Sequence, residues 1–337
     1  MRRLYVSDVS SLEGLFNSLA KEKVLYAPTS TGAQSEFSRV NSLTSANLDL
    51  VNVTKSPKFQ LLPQTVEMFA YDPRSGSTSS TPEMDVDAIF LGVRPCDASA
   101  IGVLDSVLLG SRFEDPYYAS RRHRSLIVSV ACERQAQSCF CRDLGTGPVE
   151  GTGGDIALLR VDDVYYAKPV SAKGLDFLRL YQSVFKPASD GDASSYERKR
   201  SELEGTMGSK LKVDALTKKL RDVYESQLWP SVSERCIGCG ICSFFCPTCY
   251  CFDTIDEYRS GLCRRMRGWD SCSYCDFSRM AGGLDPRPTK DRRFRHRVFH
   301  KWSYVLEAFG VNACVGCGRC ISLCPVNIDI REVLTSL

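Results

Sequence analysis

Four cysteines in the run Cys236-Ile-Gly-Cys239-Gly-Ile-Cys242-Ser-Phe-Phe-Cys246-Pro247 stand at the spacing C-x2-C-x2-C-x3-C-P. The same spacing returns at Cys314, Cys317, Cys320 and Cys324, closed again by a proline, Pro325. This pattern serves 4Fe-4S chemistry. Three thiolates spaced three apart reach three irons of one cube from a single tight loop, and the fourth, opening the next element, goes to the other cube. Gly238, Gly240, Gly316 and Gly318 keep the loops bare, so backbone N–H groups can approach the cluster sulfides. The closing proline turns the chain away after the fourth ligand. The spacing predicts one cluster on Cys236, Cys239, Cys242 and Cys324, and a second on Cys246, Cys314, Cys317 and Cys320. Zinc motifs pair two C-x2-C knuckles over a longer gap and fit a doubled four-cysteine run poorly.

A third set of four cysteines depends on the elements that carry it. Ala88–Val93 reads as a buried strand, Arg94-Pro-Cys-Asp97 as a turn, and Ala98–Leu109 as a helix that Asp97 can cap. A second buried strand, Ser125–Ala131, runs straight into Cys132. Consecutive strands joined by a crossover are expected to be adjacent and parallel, which places Cys96 and Cys132 together at one end of a sheet. Ligands gather at such carboxyl ends. Cys139 and Cys141 follow on the next loop. Four thiolates there suit a third 4Fe-4S cluster; an all-thiolate zinc site or buried free cysteines are the competing readings.

Around these, residues 8–20 carry apolar side chains at helical spacing, Val24–Ala27 is a short strand, and 29–58 suits antiparallel strands or hairpins. Asp72–Glu83 is a loop. Residues 155–170 look like a hairpin and 174–186 like a helix, followed by a small-residue linker at Pro187–Ser195 and helical periodicity over 196–228. The long spacer between Cys246 and Cys314 reads as helices, so a helical dicluster domain is expected. The chain is therefore expected to be α+β. Residues 1–187 form an N-terminal α/β sheet domain with the third site, 188–229 a linker and helix, and 230–337 a mainly helical ferredoxin-like dicluster domain.

Seventeen cysteines in 337 residues point to metal rather than disulfides in a chain of this size, and to a reducing compartment. The formal charge of +3 gives no case for nucleic acid. No apolar run approaches a membrane span, and Met1-Arg-Arg3 leads into polar residues rather than a signal sequence, so a cytoplasmic location is expected. Cys249, Cys251, Cys263, Cys272 and Cys275 are left over, to pack beside the clusters or to join on another metal. The basic stretch Arg287, Lys290, Arg292, Arg293, Arg295, Arg297 and Lys301, with His296 and His300, suits an acidic partner, the negative clusters or a solvated helix face. No Ser/His/Asp set, phosphate loop or HExxH motif is present, so no catalytic residue is assigned.

Several motifs together resemble a known group. They are Gly92-Val-Arg-Pro-Cys-Asp97, Cys139-Phe-Cys141, Cys246-Pro-Thr-Cys-Tyr-Cys-Phe-Asp253, Arg267-Gly-Trp-Asp-Ser-Cys272, His300-Lys301 and Cys314-Val-Gly-Cys-Gly-Arg-Cys320. The chain resembles the beta, iron–sulfur subunits of cytoplasmic sulfhydrogenase-type nickel–iron hydrogenases and the corresponding iron–sulfur subunits of anaerobic sulfite reductases. Its dicluster part is similar to the helical ferredoxin domain of succinate dehydrogenase. The resemblance implies an electron relay inside a complex. A flavin subunit exchanges electrons with NAD(P)H or ferredoxin, and the iron–sulfur chain passes them to a catalytic oxidoreductase subunit of the hydrogenase, sulfite reductase or heterodisulfide reductase type. A stand-alone redox enzyme using one cluster for substrate chemistry, and a zinc-stabilised scaffold, are the alternatives. Cys263 and Cys275 lie outside the family pattern.

Overall fold

The computed structural model describes residues 4–32, 34–80, 86–110, 113–206, 211 and 216–337. Its strands are β1 (Tyr5–Asp8), β2 (Val24–Thr31), β3 (Gln34–Arg39), β4 (Thr65–Asp72), β5 (Ser77–Ser80), β6 (Ala88–Val93), β7 (Ser125–Val130), β8 (Ile156–Val161), β9 (Val164–Pro169), β10 (Lys186–Pro187), β11 (Phe252–Arg259) and β12 (Leu262–Trp269). Together with the helices they make an α+β fold. Eight strands form one mixed sheet in the order β10-β1-β9-β8-β7-β6-β2-β3. At its centre β2, β6, β7 and β8 run parallel. Every residue of β6 and β7 is buried, which is why both read as unbroken apolar runs.

Helices cover both faces. Leu12 and Phe16 of the helix Val9–Leu19, and Leu178 of Ala172–Leu180, pack against Leu91, Val128 and Leu158 on one side. Ile101 and Leu104 of Pro95–Leu108, and Tyr118 of Pro116–His123, pack against Phe90 and Ile127 on the other. Pro95 sits at the first helical position, where its missing N–H is not needed. The helix therefore begins earlier than expected, and Asp97 lies within its first turn instead of capping it. The linker expected at Pro187–Ser195 is instead the short edge strand β10 and the start of the helix Asp190–Thr206. Parts of the expected loop over 72–83 and of the expected helical stretch over 196–228 fall outside the described residues.

The spacer between the two cysteine runs departs from expectation. Residues 252–269 are not helical: β11 and β12 pair as a hairpin whose turn residues Ser260 and Gly261 have φ of +55° and +81°. Positive φ at both central positions suits a tight hairpin turn. β12 also pairs with β4, giving a second sheet of order β11-β12-β4-β5. Beyond it, Lys290–Phe299 runs through a π-helical turn at His300–Tyr304 into Val305–Phe309. Val298, Phe299 and Trp302 of this rod pack with Trp229, Val333 and Leu334.

Candidate metal centres

The two cysteine runs fold alike. Gly238 and Gly240 have φ of +69° and +74°, Gly316 and Gly318 of +62° and +78°, so each loop takes left-handed turns open to glycine. A short helix opens directly after each loop, at Ile241–Phe244 and at Arg319–Ser322. All eight cysteines, Cys236, Cys239, Cys242, Cys246, Cys314, Cys317, Cys320 and Cys324, line one cavity of about 1050 Å³, part of it open to solvent. The indole N–H of Trp302 lines the same cavity, is buried, and has no hydrogen-bond partner. Donors also reach the sulfurs themselves. Gly238 N–H donates to Cys236 Sγ at 3.5 Å, Ile328 N–H to Cys324 Sγ at 3.3 Å, and Lys301 Nζ to Cys246 Sγ at 3.3 Å.

This is a thiolate environment that needs a cationic core to complete it. Burial pushes Cys314 up to about 12 and Cys317 up to about 11, so without a metal both would stay protonated. Cys246 is held well below the usual thiol range by its hydrogen bond with Cys249, reinforced by the charges of Lys301 and Arg297. A lone zinc ion would draw four thiolates to about 2.3 Å from one point. Among the described residues no three His, Cys, Asp or Glu side chains converge in that way. A ring of cysteines around a wide cavity fits a polynuclear cluster.

The third set also comes together. β6 and β7 are parallel neighbours, and Cys96, Cys132, Cys139 and Cys141 line a smaller cavity of about 310 Å³ at their carboxyl ends. Arg94 and Asn52 share its wall, and the buried Asn52 Oδ1 has no partner. Burial raises Cys132 to about 11 and Cys141 to about 12. The loop that carries Cys139 and Cys141 is sewn to the second cysteine run. Phe140 N–H donates to Gly316 O at 2.8 Å, Thr146 Oγ1 to Val315 O at 2.7 Å, and Cys139 Sγ to Cys317 O at 3.6 Å. Cys96, Cys141 and Cys317 belong to one packed cluster. Beside them Arg319 Nη1 and Nη2 donate to the carboxylate of Asp97 at 2.6 and 2.8 Å, both residues 1% exposed.

Of the remaining cysteines, Cys249 and Cys272 are buried, Cys251 is half-buried, and Cys263 and Cys275 are exposed. The basic stretch is not one solvated face: Arg297 and Lys301 are buried against Cys249 and Cys246. Lys58 and Trp302 lie outside the motifs above, and Arg94 and Arg319, though inside them, have no role assigned from the sequence. Lys58 is buried, and burial pulls its ammonium down to about 8 despite the neighbouring sulfurs of Cys249 and Cys246. Its Nζ lies 3.8 Å from the centre of a Trp269 ring.

Known proteins bear on this arrangement directly. The family model of a 4Fe-4S dicluster domain matches residues 235–328. Sulfhydrogenase 2 subunit beta of Pyrococcus furiosus is 34% identical over 322 residues, covering 95% of this chain and 93% of that protein. Among the described residues no helix is long and apolar enough to cross a membrane. The cysteine-ringed cavity, the dicluster match and the near full-length relative lead to one conclusion: the chain belongs to the family of sulfhydrogenase beta subunits, as an iron–sulfur electron-transfer subunit with a 4Fe-4S dicluster domain.

Proposed function

We propose that the chain relays electrons, one at a time, between a flavin/NAD(P)H-binding or ferredoxin-linked subunit and a catalytic oxidoreductase subunit in the cytoplasm. Cys236, Cys239, Cys242 and Cys324 hold one 4Fe-4S cluster; Cys246, Cys314, Cys317 and Cys320 hold the second; Cys96, Cys132, Cys139 and Cys141 hold a third. Residues 1–187 act as the sheet domain bearing the third site, 188–229 as the connection, and 230–337 as the dicluster domain. The clusters supply reversible one-electron chemistry, and the protein tunes it by burial and by hydrogen bonds to sulfur.

The observation that carries this reading is the joint between the Cys139–Cys141 loop and the second run, made by Phe140 and Thr146 against Gly316 and Val315. It supports a continuous series of the three proposed clusters. Lys301 and Trp302 furnish N–H groups at the dicluster cavity, and Arg94 puts positive charge beside Cys132. The family's multi-subunit setting supports obligatory partners. The isolated chain, purified anaerobically, should be reduced by dithionite but not by NADH or NADPH. Direct reduction by either nicotinamide would overturn the need for a flavin partner. Cys139→Ser with Cys141→Ser should remove about four irons per chain. Unchanged iron would remove the third cluster from the series.

A further inference from the structure

A second cavity, of about 680 Å³ and partly open to solvent, adjoins the dicluster cavity, with Arg297 and Lys301 lining both. Cys249, Cys251, Cys272, His296 and His300 line it. The sequence scatters these residues; the hairpin and the π turn gather them. Phe252 pairs with Trp269 at the base of the β11–β12 hairpin, and Asp270 N–H donates to Cys251 O at 3.0 Å. Cys251 and Cys272 therefore meet, close enough for their side chains to hydrogen-bond. His296 is carried by the helix Lys290–Phe299 and His300 opens the π-helical turn after it. Such turns are frequent at functional sites.

Buried positive charge also faces this cavity. Lys58, Arg297 and Lys301 are only 3%, 9% and 3% exposed. Among the described residues no carboxylate lies within ion-pair distance of any of them. Their partners are carbonyls, hydroxyls and sulfur. Lys58 Nζ donates to Phe244 O at 2.8 Å and Cys249 O at 3.3 Å. Arg297 Nη1 donates to Ser243 Oγ at 3.2 Å and Cys249 Sγ at 3.6 Å. Lys301 Nζ donates to Thr248 Oγ1 at 2.7 Å and Cys246 Sγ at 3.3 Å. Buried cations need buried anions. Arg297 and Lys301 line this cavity and the dicluster cavity alike, so anionic clusters on both sides would share these cations.

We propose that Cys249, Cys251 and Cys272, with an imidazole from His296 or His300, hold an additional iron–sulfur cluster beside the dicluster cavity. Three thiols and an imidazole around one cavity match the ligand types of an iron–sulfur cluster. Histidine among the ligands raises a cluster's potential relative to all-cysteine ligation. The guanidinium of Arg297, which contacts both Cys249 Sγ and the Cys242 carbonyl, joins this site to the first cysteine run.

The test is Cys251→Ser with Cys272→Ser in the full chain purified anaerobically. Iron and acid-labile sulfide should each fall by about two to four per chain, according to whether a two-iron or four-iron cluster is lost. The reduced-state signals of the dicluster cysteines should remain. Unchanged iron and sulfide would overturn the proposal, whether the two cysteines prove to be free thiols or a disulfide. Neither substitution touches Cys96, Cys132, Cys139 or Cys141, so the result stands with or without a cluster there. Should the double variant not accumulate, alkylation of the wild-type chain decides. Half-buried Cys251 should resist alkylation in the native anaerobic protein, while exposed Cys263 and Cys275 react. It should become reactive once iron is stripped by chelator and oxidant. Labelling of Cys251 before iron removal, or no labelling after it, would overturn the site.

Discussion

The two cysteine runs share their spacing, their left-handed glycines and the short helix that follows, yet they meet opposite surroundings. Ile237 in the first loop is 64% exposed, whereas Val315 at the equivalent position of the second is 2% exposed. Cys239 is exposed and Cys317 buried. A Cβ on Gly238 would come no nearer than 3.5 Å to Ser273 O, and one on Gly240 would meet only the Tyr274 side chain, at 2.7 Å. One on Gly316 would stand 2.5 Å from the Phe140 carbonyl carbon, and one on Gly318 2.3 Å from Ser138 O. Where the first run has Ile241, the second has Arg319, locked onto Asp97 one residue from Cys96. One motif thus does two jobs. The first run faces the outside, and the second is clamped into the rest of the molecule.

The sharpest way to break this comparison is at Arg319. Arg319→Met leaves the buried Asp97 carboxylate without its partner and should destabilise the holo chain by about 3–5 kcal/mol. The matching change in the first run, Ile241→Met, exchanges one apolar side chain for another of similar volume and should lose less than about 1.5 kcal/mol. Urea unfolding under anaerobic conditions measures both. Equal losses would mean that the second run is no more tightly held than the first.

The glycines give a smaller contrast. Gly238→Ala carries the left-handed backbone penalty alone, about 1–2 kcal/mol. Gly316→Ala adds a clash with backbone that has no flexible side chain to yield, so about 2–5 kcal/mol in total is expected. Iron retention during the same unfolding series should follow that order. An alanine at 316 tolerated as well as one at 238 would show that the Phe140–Cys141 loop can move away.

How much of this was legible follows from where the signals lie. The eight run cysteines sit at short, regular spacing, so the local sequence exposes them directly. Two unbroken apolar strands that each lead to a cysteine bring Cys96 and Cys132 together, and β6 and β7 are parallel neighbours. The β11–β12 hairpin has no such signal, because β11 is exposed along its whole length and has no apolar face to alternate. Arg319–Asp97, Thr146–Val315 and Lys58–Cys249 join residues far apart in the chain, and such pairs leave no periodic trace. Arg297 and Lys301 sit in a basic stretch that resembles a solvated helix until the buried sulfurs beside them are seen.

The contrast between an outward and an embedded run, and the exchange of fourth ligands between them, meet in one measurement. The dithionite-reduced chain and its Cys246→Ser variant are compared by electron paramagnetic resonance, with and without a soluble paramagnetic relaxing agent. Cys246→Ser should remove or alter the signal of the cluster on Cys314, Cys317 and Cys320, because the fourth ligand crosses from the first run. In the parent chain that same signal should be the less sensitive to the relaxing agent. The signal from Cys236, Cys239, Cys242 and Cys324 should survive the substitution and respond strongly to the agent. If Cys246→Ser instead removes the agent-sensitive signal, or if the agent acts equally on both, the two runs do not divide the work between an outer and an inner cluster.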